Sequence, residues 1–512
     1  MPDGKSDLLL TNARLVTFAQ DPFSDRGDAV AVKDGLIQAV GSRDELEGLQ
    51  GLGTRVIDLE GAVVLPGFID THVHLVQTGL QMLSIDLVNA DSIPGLLEKL
   101  AREAREFRGN FIMAYFDEMN LEEKGFPTQE QLDQAAPGRL LKITQLSGHL
   151  SLTNGATFRW LDLDPSTPGI GRNEAGEFSG VLRAEANHTF SRVANARLVS
   201  EEQREESVSL AVKECLRQGV TTVHALEGGG FFGDIDSDFI YKNKDACEID
   251  LILWDQTTDV DRVLERGLGR IGGCLTADGS IEAYTAAVSS PYTDGTHGSL
   301  YYSDEEMEHF VTKAHRAGLQ IAIHCDGDRA VEQVLRAYER ALRECPRYDH
   351  RHRIEHAEVI THEQIRRIAR LGVHVAMQPS HLRTFGSKYE EHLGAETMNR
   401  VHLYNTMLRA GIRLAGGSDA FVSPINPLFD IQSAVNHRSL PTESLTVYDA
   451  MRLYTVEASR FGFEEIQKGS METGKQADLV VLDLDPRSVH PKAIDSIKVL
   501  RTFARGVERY SL

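Results

Sequence analysis

The chain has 512 residues, of which 41% are hydrophobic and 25% charged, a balance that excludes a mainly disordered protein. Its 54 basic and 76 acidic residues leave a formal net charge of −22, which repels phosphate backbones and anionic lipid. Nucleic-acid and membrane-surface partners are therefore not expected. No run approaches the ~18–20 apolar residues of a membrane span, and the opening Met-Pro-Asp-Gly-Lys-Ser-Asp is unlike a secretory signal. A cytoplasmic protein acting on a small molecule is expected. The five cysteines are odd in number and irregularly spaced, so no secreted disulfide framework is read from them.

In chain order, residues 8–64 read as short strands (8–10, 13–17, 29–32, 36–40 and 55–58) broken by turn signals such as Asp34-Gly35 and Gly41-Ser42. The C-terminal stretch has the same character at 478–482 and 498–504. The two ends are expected to meet in one small β-sandwich domain, residues 1–64 with 468–512. Between them, residues 65–467 alternate apolar runs with amphipathic stretches. The candidate strands are 63–69, 111–115, 140–145, 221–224, 251–254, 319–324, 353–356, 373–378 and 412–416. Helical periodicity marks 93–106, 201–218, 304–317, 330–344 and 362–370. This alternation predicts βα units, and their number predicts a TIM-like (β/α)8 barrel. The segment of about 117–200, rich in Gly, Pro and Asn, exceeds a minimal unit and is expected to cap the active-site end.

The strongest chemical signal is Asp70-Thr71-His72-Val73-His74 at the end of an apolar strand. Residues two apart on a strand face the same way, so both imidazoles can converge on one cation. His324 ends a second apolar run, His356 a third, and Asp419 follows Gly416-Gly417-Ser418 at the last. One such residue is commonly a satisfied core or capping group. Four histidines and a carboxylate at successive strand ends mark the face where barrel enzymes carry their sites. The N/O donor set suits Zn2+, with Mn, Fe or Ni as lesser options. His224 ends residues 221–224 and reads as either a supporting or a core histidine. Asp326 reads as a capping or supporting carboxylate, and Glu185 as part of a solvated helix face in preference to a group reaching into the site.

These motifs, with the closing stretch 469–482 (Gly-Ser-Met-Glu-Thr-Gly-Lys-Gln-Ala-Asp-Leu-Val-Val-Leu), resemble the amidohydrolase superfamily of metal-dependent barrel hydrolases over roughly residues 8–505. Within it the chain is most similar to the YtcJ-like branch that contains the N-substituted formamide deformylases. Ser147-Gly148-His149, Asp278-Gly279-Ser280, Gly327-Asp328-Arg329-Ala330 after His324, and Gln378-Pro379-Ser380-His381 carry that similarity. The branch typically places a carboxylated, metal-bridging lysine shortly before Asp-Gly-Ser; here Cys274 stands there. The resemblance implies either a thiolate ligand, as in D-aminoacylases, or loss of the bridge, leaving one tightly held metal. A small buried thiol is the alternative without a metal role.

The resemblance further implies one or two ions held by His72, His74, Cys274, His324, His356 and Asp419, with Asp419 as general base and then acid. His149, Asp278, Tyr292, Gln378 and His381 are the implied substrate-pocket residues, and Arg159, Arg172 and Arg183 of the cap either meet a substrate carboxylate or are surface charges. The implied reaction is hydrolysis of a non-peptide C–N bond in an amide, N-formyl or N-acyl amine, carbamate or cyclic amide. Deamination of a nucleobase-like or amidine ring is the alternative, and a catalytically inactive scaffold the less favoured one. Homodimers or homotetramers are the implied assemblies.

Overall fold

The computed structural model describes the chain except residues 1–3, 20–24, 26, 108, 123, 124, 147 and 149. Eight parallel strands form its centre: β1 (Phe68–Val73), β2 (Val220–Glu227), β3 (Asp250–Asp255), β4 (Arg270–Thr276), β5 (Gln320–Cys325), β6 (Arg353–His356), β7 (His374–Met377) and β8 (Leu414–Gly416). Neighbours pair in sequence order. The ring closes where Val73 bridges Ala420, and where the Asp419 N–H donates to the His72 carbonyl at 2.8 Å. Closure thus tethers the last candidate ligand to the first.

Helices pack outside the barrel. Asp304–Arg316, Asp328–Glu344 and His362–Leu371 bury Val311, Val334 and Ile365 in the same apolar cluster as Ile321, Ile354 and Val375 of the strands. A smaller cluster, Leu226, Ile252, Trp254, Cys274 and Ala322, fills the inside. This is the expected division of a barrel strand between two faces.

The strand reading needs three corrections. Residues 63–69 split at Gly67: Val63–Pro66 belongs to a terminal sheet, and Phe68 begins β1. A Cβ on Gly67 would lie 2.3 Å from Thr221 Oγ1, so the chain crosses there without a side chain. Phe111–Phe116 and Leu140–Gln145 are not barrel strands; they pair with each other in a six-stranded sheet. That sheet runs from Ile85–Asp86 to Phe178–Arg183, so the inserted structure begins well before residue 117. It has its own core, including Leu96, Leu100, Phe116, Leu132 and Leu152. Strand β4 was not expected at all. Gly272 and Gly273 interrupt its apolar pattern, and both have positive φ. A Cβ on Gly272 would lie 2.1 Å from the Ala322 carbonyl oxygen.

The two chain ends share a five-stranded sheet ordered Arg14–Leu15, Val63–Pro66, Leu479–Leu482, Val499–Ala504, Val507–Ser511. A four-stranded sheet built from Leu8–Thr11, Ala29–Lys33, Leu36–Gly41 and Arg55–Asp58 accompanies it. Leu8, Val30 and Ile37 of one and Val64, Leu479 and Phe503 of the other bury into one cluster. Among the described residues, no helix is long and apolar enough to cross a membrane.

Candidate metal centre

The C-terminal ends of the barrel strands bring the candidate ligands together. Three groups of donor atoms, each within 4.8 Å of one another, are His72 with His74 and Asp419, His72 with Cys274 and His356, and His356 with His381 and Asp419. Asp419 Oδ1 lies 3.3 Å from His72 Nε2 and 3.2 Å from His74 Nε2. Donors at about 2.0–2.2 Å around a tetrahedral ion would stand roughly 3.3 Å apart. Cys274 Sγ lies 4.0 Å from His356 Nε2. Every one of these side chains is buried.

Orphaned atoms test whether a metal fits. His72 Nε2 and Asp419 Oδ1 are buried with no hydrogen-bond partner among the described residues. Such groups are costly unless something absent from the protein chain satisfies them. Their other ends are fixed. His72 Nδ1 meets Glu355 Oε2 at 2.8 Å, and His74 Nδ1–H donates to the Leu226 carbonyl at 2.8 Å. Both imidazoles are thereby held with Nε2 free, the arrangement that orients metal-bound histidines. The donors fit a divalent cation.

Backbone strain accompanies the donors. His356 and Asp419 have φ of 70° and 54°, unusual for residues with a Cβ. On β6 the alternation puts Arg353 and Glu355 inside, with Ile354 in the outer cluster. The left-handed turn at His356 lets the next side chain also reach the inside.

Charge follows the geometry. Burial would raise Asp419, but His72 and His74 outweigh it and hold the carboxyl well below the usual carboxylate range. Burial would likewise raise the Cys274 thiol, yet His324, His72 and His74 hold it down at about 6, so a thiolate is accessible at neutral pH.

The remaining candidates are placed as follows. His381 stands beside Asp419, with Nε2 3.6 Å from Oδ2, and its Nδ1 meets Glu358 Oε1 at 3.0 Å. Gln378 is fully buried after β7, with both amide atoms unpartnered among the described residues. Asp278 faces protein rather than a cavity: it accepts from the N–H groups of Asp326 (3.0 Å), Gly327 (2.9 Å) and Ala287 (2.8 Å). The Tyr292 hydroxyl donates to the Ala286 carbonyl inside an apolar cluster. His149 lies outside the described residues. His224 accepts from Arg353 and Trp254 beneath the centre.

Two cavities open on the centre. A small one, about 60 Å³, is bounded by His74, Cys274, His324 and Asp419 on one side and Phe232, Phe421 and Val422 on the other. A larger one, about 420 Å³, shares Cys274, Gln256 and Thr276 with it and extends to Tyr301, Tyr302 and Glu185. Glu185 is therefore exposed to a cavity as well as lying on a helix. Arg183 lines a neighbouring cavity of about 390 Å³ with Glu118 and Lys388, whereas Arg172 donates to the carbonyls of Gly176 and Pro165. Gln256 was not read from the sequence, because a single amide after β3 carries no pattern. Arg353 and Glu355 had a signal: two charged residues on a strand otherwise fit for burial.

Comparison with known proteins agrees. The sequence profile of the amidohydrolase family matches residues 55–510. The chain belongs to the amidohydrolase family. It is 30% identical to YtcJ of Bacillus subtilis (strain 168), over 94% of this chain and 96% of that protein. It is 28% identical to the N-substituted formamide deformylase of Arthrobacter pascens, over 98% of both. Among solved structures, an uncharacterized metal-dependent hydrolase from Pyrococcus horikoshii OT3 superposes with a TM-score of 0.78 at 24% identity, covering 94% of this chain and 99% of that one. The amidohydrolase barrel inferred from the motifs is thus the fold this family member adopts.

Proposed function

We propose that this amidohydrolase cleaves a non-peptide C–N bond, in an N-formyl or N-acyl amine, another amide, a carbamate or a cyclic amide, with Zn2+ as the working cation. The observation that carries the reading is the position of Asp419 Oδ1 between His72 and His74, buried and without a hydrogen-bond partner among the described residues. A divalent cation bound there would lower the pKa of water to about 7 and polarise the scissile carbonyl. Asp419 then accepts the proton of the attacking water and hands it to the departing nitrogen. Cys274 serves as a thiolate donor, and His381, held by Glu358, lines the side of Asp419 that faces substrate. The cavity of about 60 Å³ suits a small acyl group, and the larger one receives the rest of the molecule. The naming of one relative as a formamide deformylase supports a small acyl group.

The test is a panel of N-formyl, N-acyl, carbamate and cyclic amide compounds on zinc-loaded protein. We expect a carboxylate and an amine as products, and Asp419→Asn to lower kcat by at least about 10²-fold. Ammonia release with the ring retained would instead establish deamination. Turnover that survives complete chelation, or an Asp419→Asn variant with full activity, would overturn the reading.

A further inference from the structure

Opposite the candidate ligands, the wall of the cavity of about 60 Å³ is apolar: Phe232 follows β2, and Phe421 and Val422 follow β8. Phe421 and Phe232 are 6% and 8% exposed, and both cluster with Tyr115 of the inserted sheet. The centroid of the Phe421 ring lies 5.8 Å from that of Phe232, 6.0 Å from that of Tyr115 and 6.0 Å from that of His74. The rings cross at 80°, 61° and 57°, so edges meet faces as aromatic pairs prefer.

The tip of the Phe421 ring meets the cap backbone. Gly148 stands there, between Leu140–Gln145 and Leu150–Leu152 of the inserted sheet, and it also lines the small cavity. Its φ is 77°, and a Cβ on it would lie 3.2 Å from Phe421 Cζ. The Gly148 N–H donates to the Gln145 carbonyl at 2.8 Å, and the Gly148 carbonyl accepts from Asn187 Nδ2 at 2.9 Å. The turn is thus pinned to the inserted sheet on one side and to the helix Ala184–Leu198 on the other. Held between this backbone and three rings, Phe421 cannot swing aside without displacing packed neighbours. The space it bounds takes only a few heavy atoms, since one water occupies about 30 Å³ of liquid. The cavity of about 420 Å³ beyond Cys274 has no such wall and reaches Tyr301 and Tyr302.

We infer, resting on the C–N hydrolysis reading above, that Phe421 sets the length of the acyl group and that the inserted sheet makes it do so. Gly148 and Tyr115 are positioning residues: they hold the Phe421 ring against the small cavity and restrict the acyl half of the substrate to formyl or acetyl size. A longer chain on the carbonyl carbon would run into the ring, whereas the amine half extends into the larger cavity. The Gly148 turn and the strand of Tyr115 thereby take part in selectivity, although neither supplies a candidate metal ligand.

The experiment measures acyl length against a fixed amine. Zinc-loaded, full-length protein is given the N-formyl, N-acetyl, N-butyryl and N-hexanoyl derivatives of whichever amine is released fastest in the panel above, with metal analysis of every variant. Wild-type kcat/KM should fall at least about 10-fold between the acetyl and butyryl derivatives, the cost of surplus methylenes in a closed apolar pocket. In Phe421→Ala the ratio of kcat/KM for butyryl over formyl should rise at least about 10-fold. Phe421→Leu carries the same test if the alanine variant fails to fold. Tyr115→Ala, which frees the ring from behind, should move the ratio in the same direction; a merely structural role would lower all four substrates alike and leave the ratio fixed. Wild type that takes hexanoyl as readily as formyl would overturn the inference, as would a ratio unmoved in both Phe421→Leu and Tyr115→Ala. Turnover confined to carbamates or cyclic amides would overturn it while leaving C–N hydrolysis standing. No turnover of any compound in the panel would overturn both.

Discussion

Glu355 joins the barrel's buried charge to the candidate metal centre. Arg353, fully buried, donates to Glu355 Oε1 at 2.7 Å and to Oε2 at 2.8 Å. It also donates to the Thr71 carbonyl at 2.9 Å and lies over the Trp254 ring, with 4.7 Å to the centroid. Glu355 in turn fixes His72. Glu355→Gln keeps the shape of the side chain but removes the charge that makes His72 a better donor. Zinc affinity should fall about 10–100-fold, as for other carboxylates behind metal histidines. Chelator competition measures it, and unchanged affinity would show that His72 is positioned by packing alone. The candidate donors His72, His74, His324, His356 and Asp419 were legible because each lies at or just beyond the end of an apolar run. Asp278 was legible as a motif residue and Tyr292 was named only as an implied pocket residue, but the polar atoms of both turn toward backbone.

At the scale of elements, the opposite end of the barrel holds a second histidine cluster with a different character. His315, on the helix Asp304–Arg316, meets His352 through Nδ1 and Nε2 at 2.8 Å, and its own Nε2–H donates to the Cys345 carbonyl at 2.6 Å. His352 Nδ1 accepts from the Ile321 N–H at the start of β5, and His350 Nδ1 from the His352 N–H. These bonds require neutral rings. Burial, reinforced by neighbouring positive groups, pushes His352 well below its ordinary value and lowers His315 and His350; His374, on β7, is pushed to about 3. The unfolded chain takes up protons near pH 6.5, whereas the folded rings do so only at lower pH. This contribution to stability is therefore full above about pH 6.5 and declines as pH falls below it. The unfolding midpoint should drop between pH 7.5 and pH 5, and His352→Asn, whose amide oxygen can accept in place of Nδ1, should flatten the slope. A midpoint independent of pH over that range would contradict this account. The helices around the cluster were readable from their periodicity, whereas β4 was not, since its glycines are selected by close backbone approach and not by burial. Phe111–Phe116 and Leu140–Gln145 were readable as strands but not assignable to a sheet, because a buried parallel strand looks the same in either one.

For the whole molecule, the union of the two chain ends was visible as shared β character, and the reason for it is mechanical. Val63–Pro66 pairs with Leu479–Leu482 and continues through Gly67 into β1, which carries His72 and leads directly into His74. The terminal sheet therefore sets the start of the strand on which the metal centre depends. Within it, Val499–Ala504 is buried at Val499 and over its last three residues: Phe503 is fully enclosed, and Thr502 Oγ1 donates to the Leu216 carbonyl at 2.7 Å. Removing Phe503 alone should cost about 3–5 kcal/mol. The last strand, Val507–Ser511, lies at the edge with no residue fully buried, and its Glu508 pairs with Arg55 and Arg501 at the surface. Surface pairs of this kind contribute about 0–1 kcal/mol each. A chain ending at Gly506 keeps Arg505, which binds Asp250 and the Cys247 carbonyl, and should fold, retain its metal and lose only a few degrees of Tm. A chain ending at Lys498 lacks the strand beside Leu479–Leu482 and should lose cooperative unfolding and zinc together. Calorimetry and metal analysis on the two truncations decide the matter. A chain ending at Lys498 with wild-type Tm and metal content would uncouple the terminal sheet from the centre it leads into.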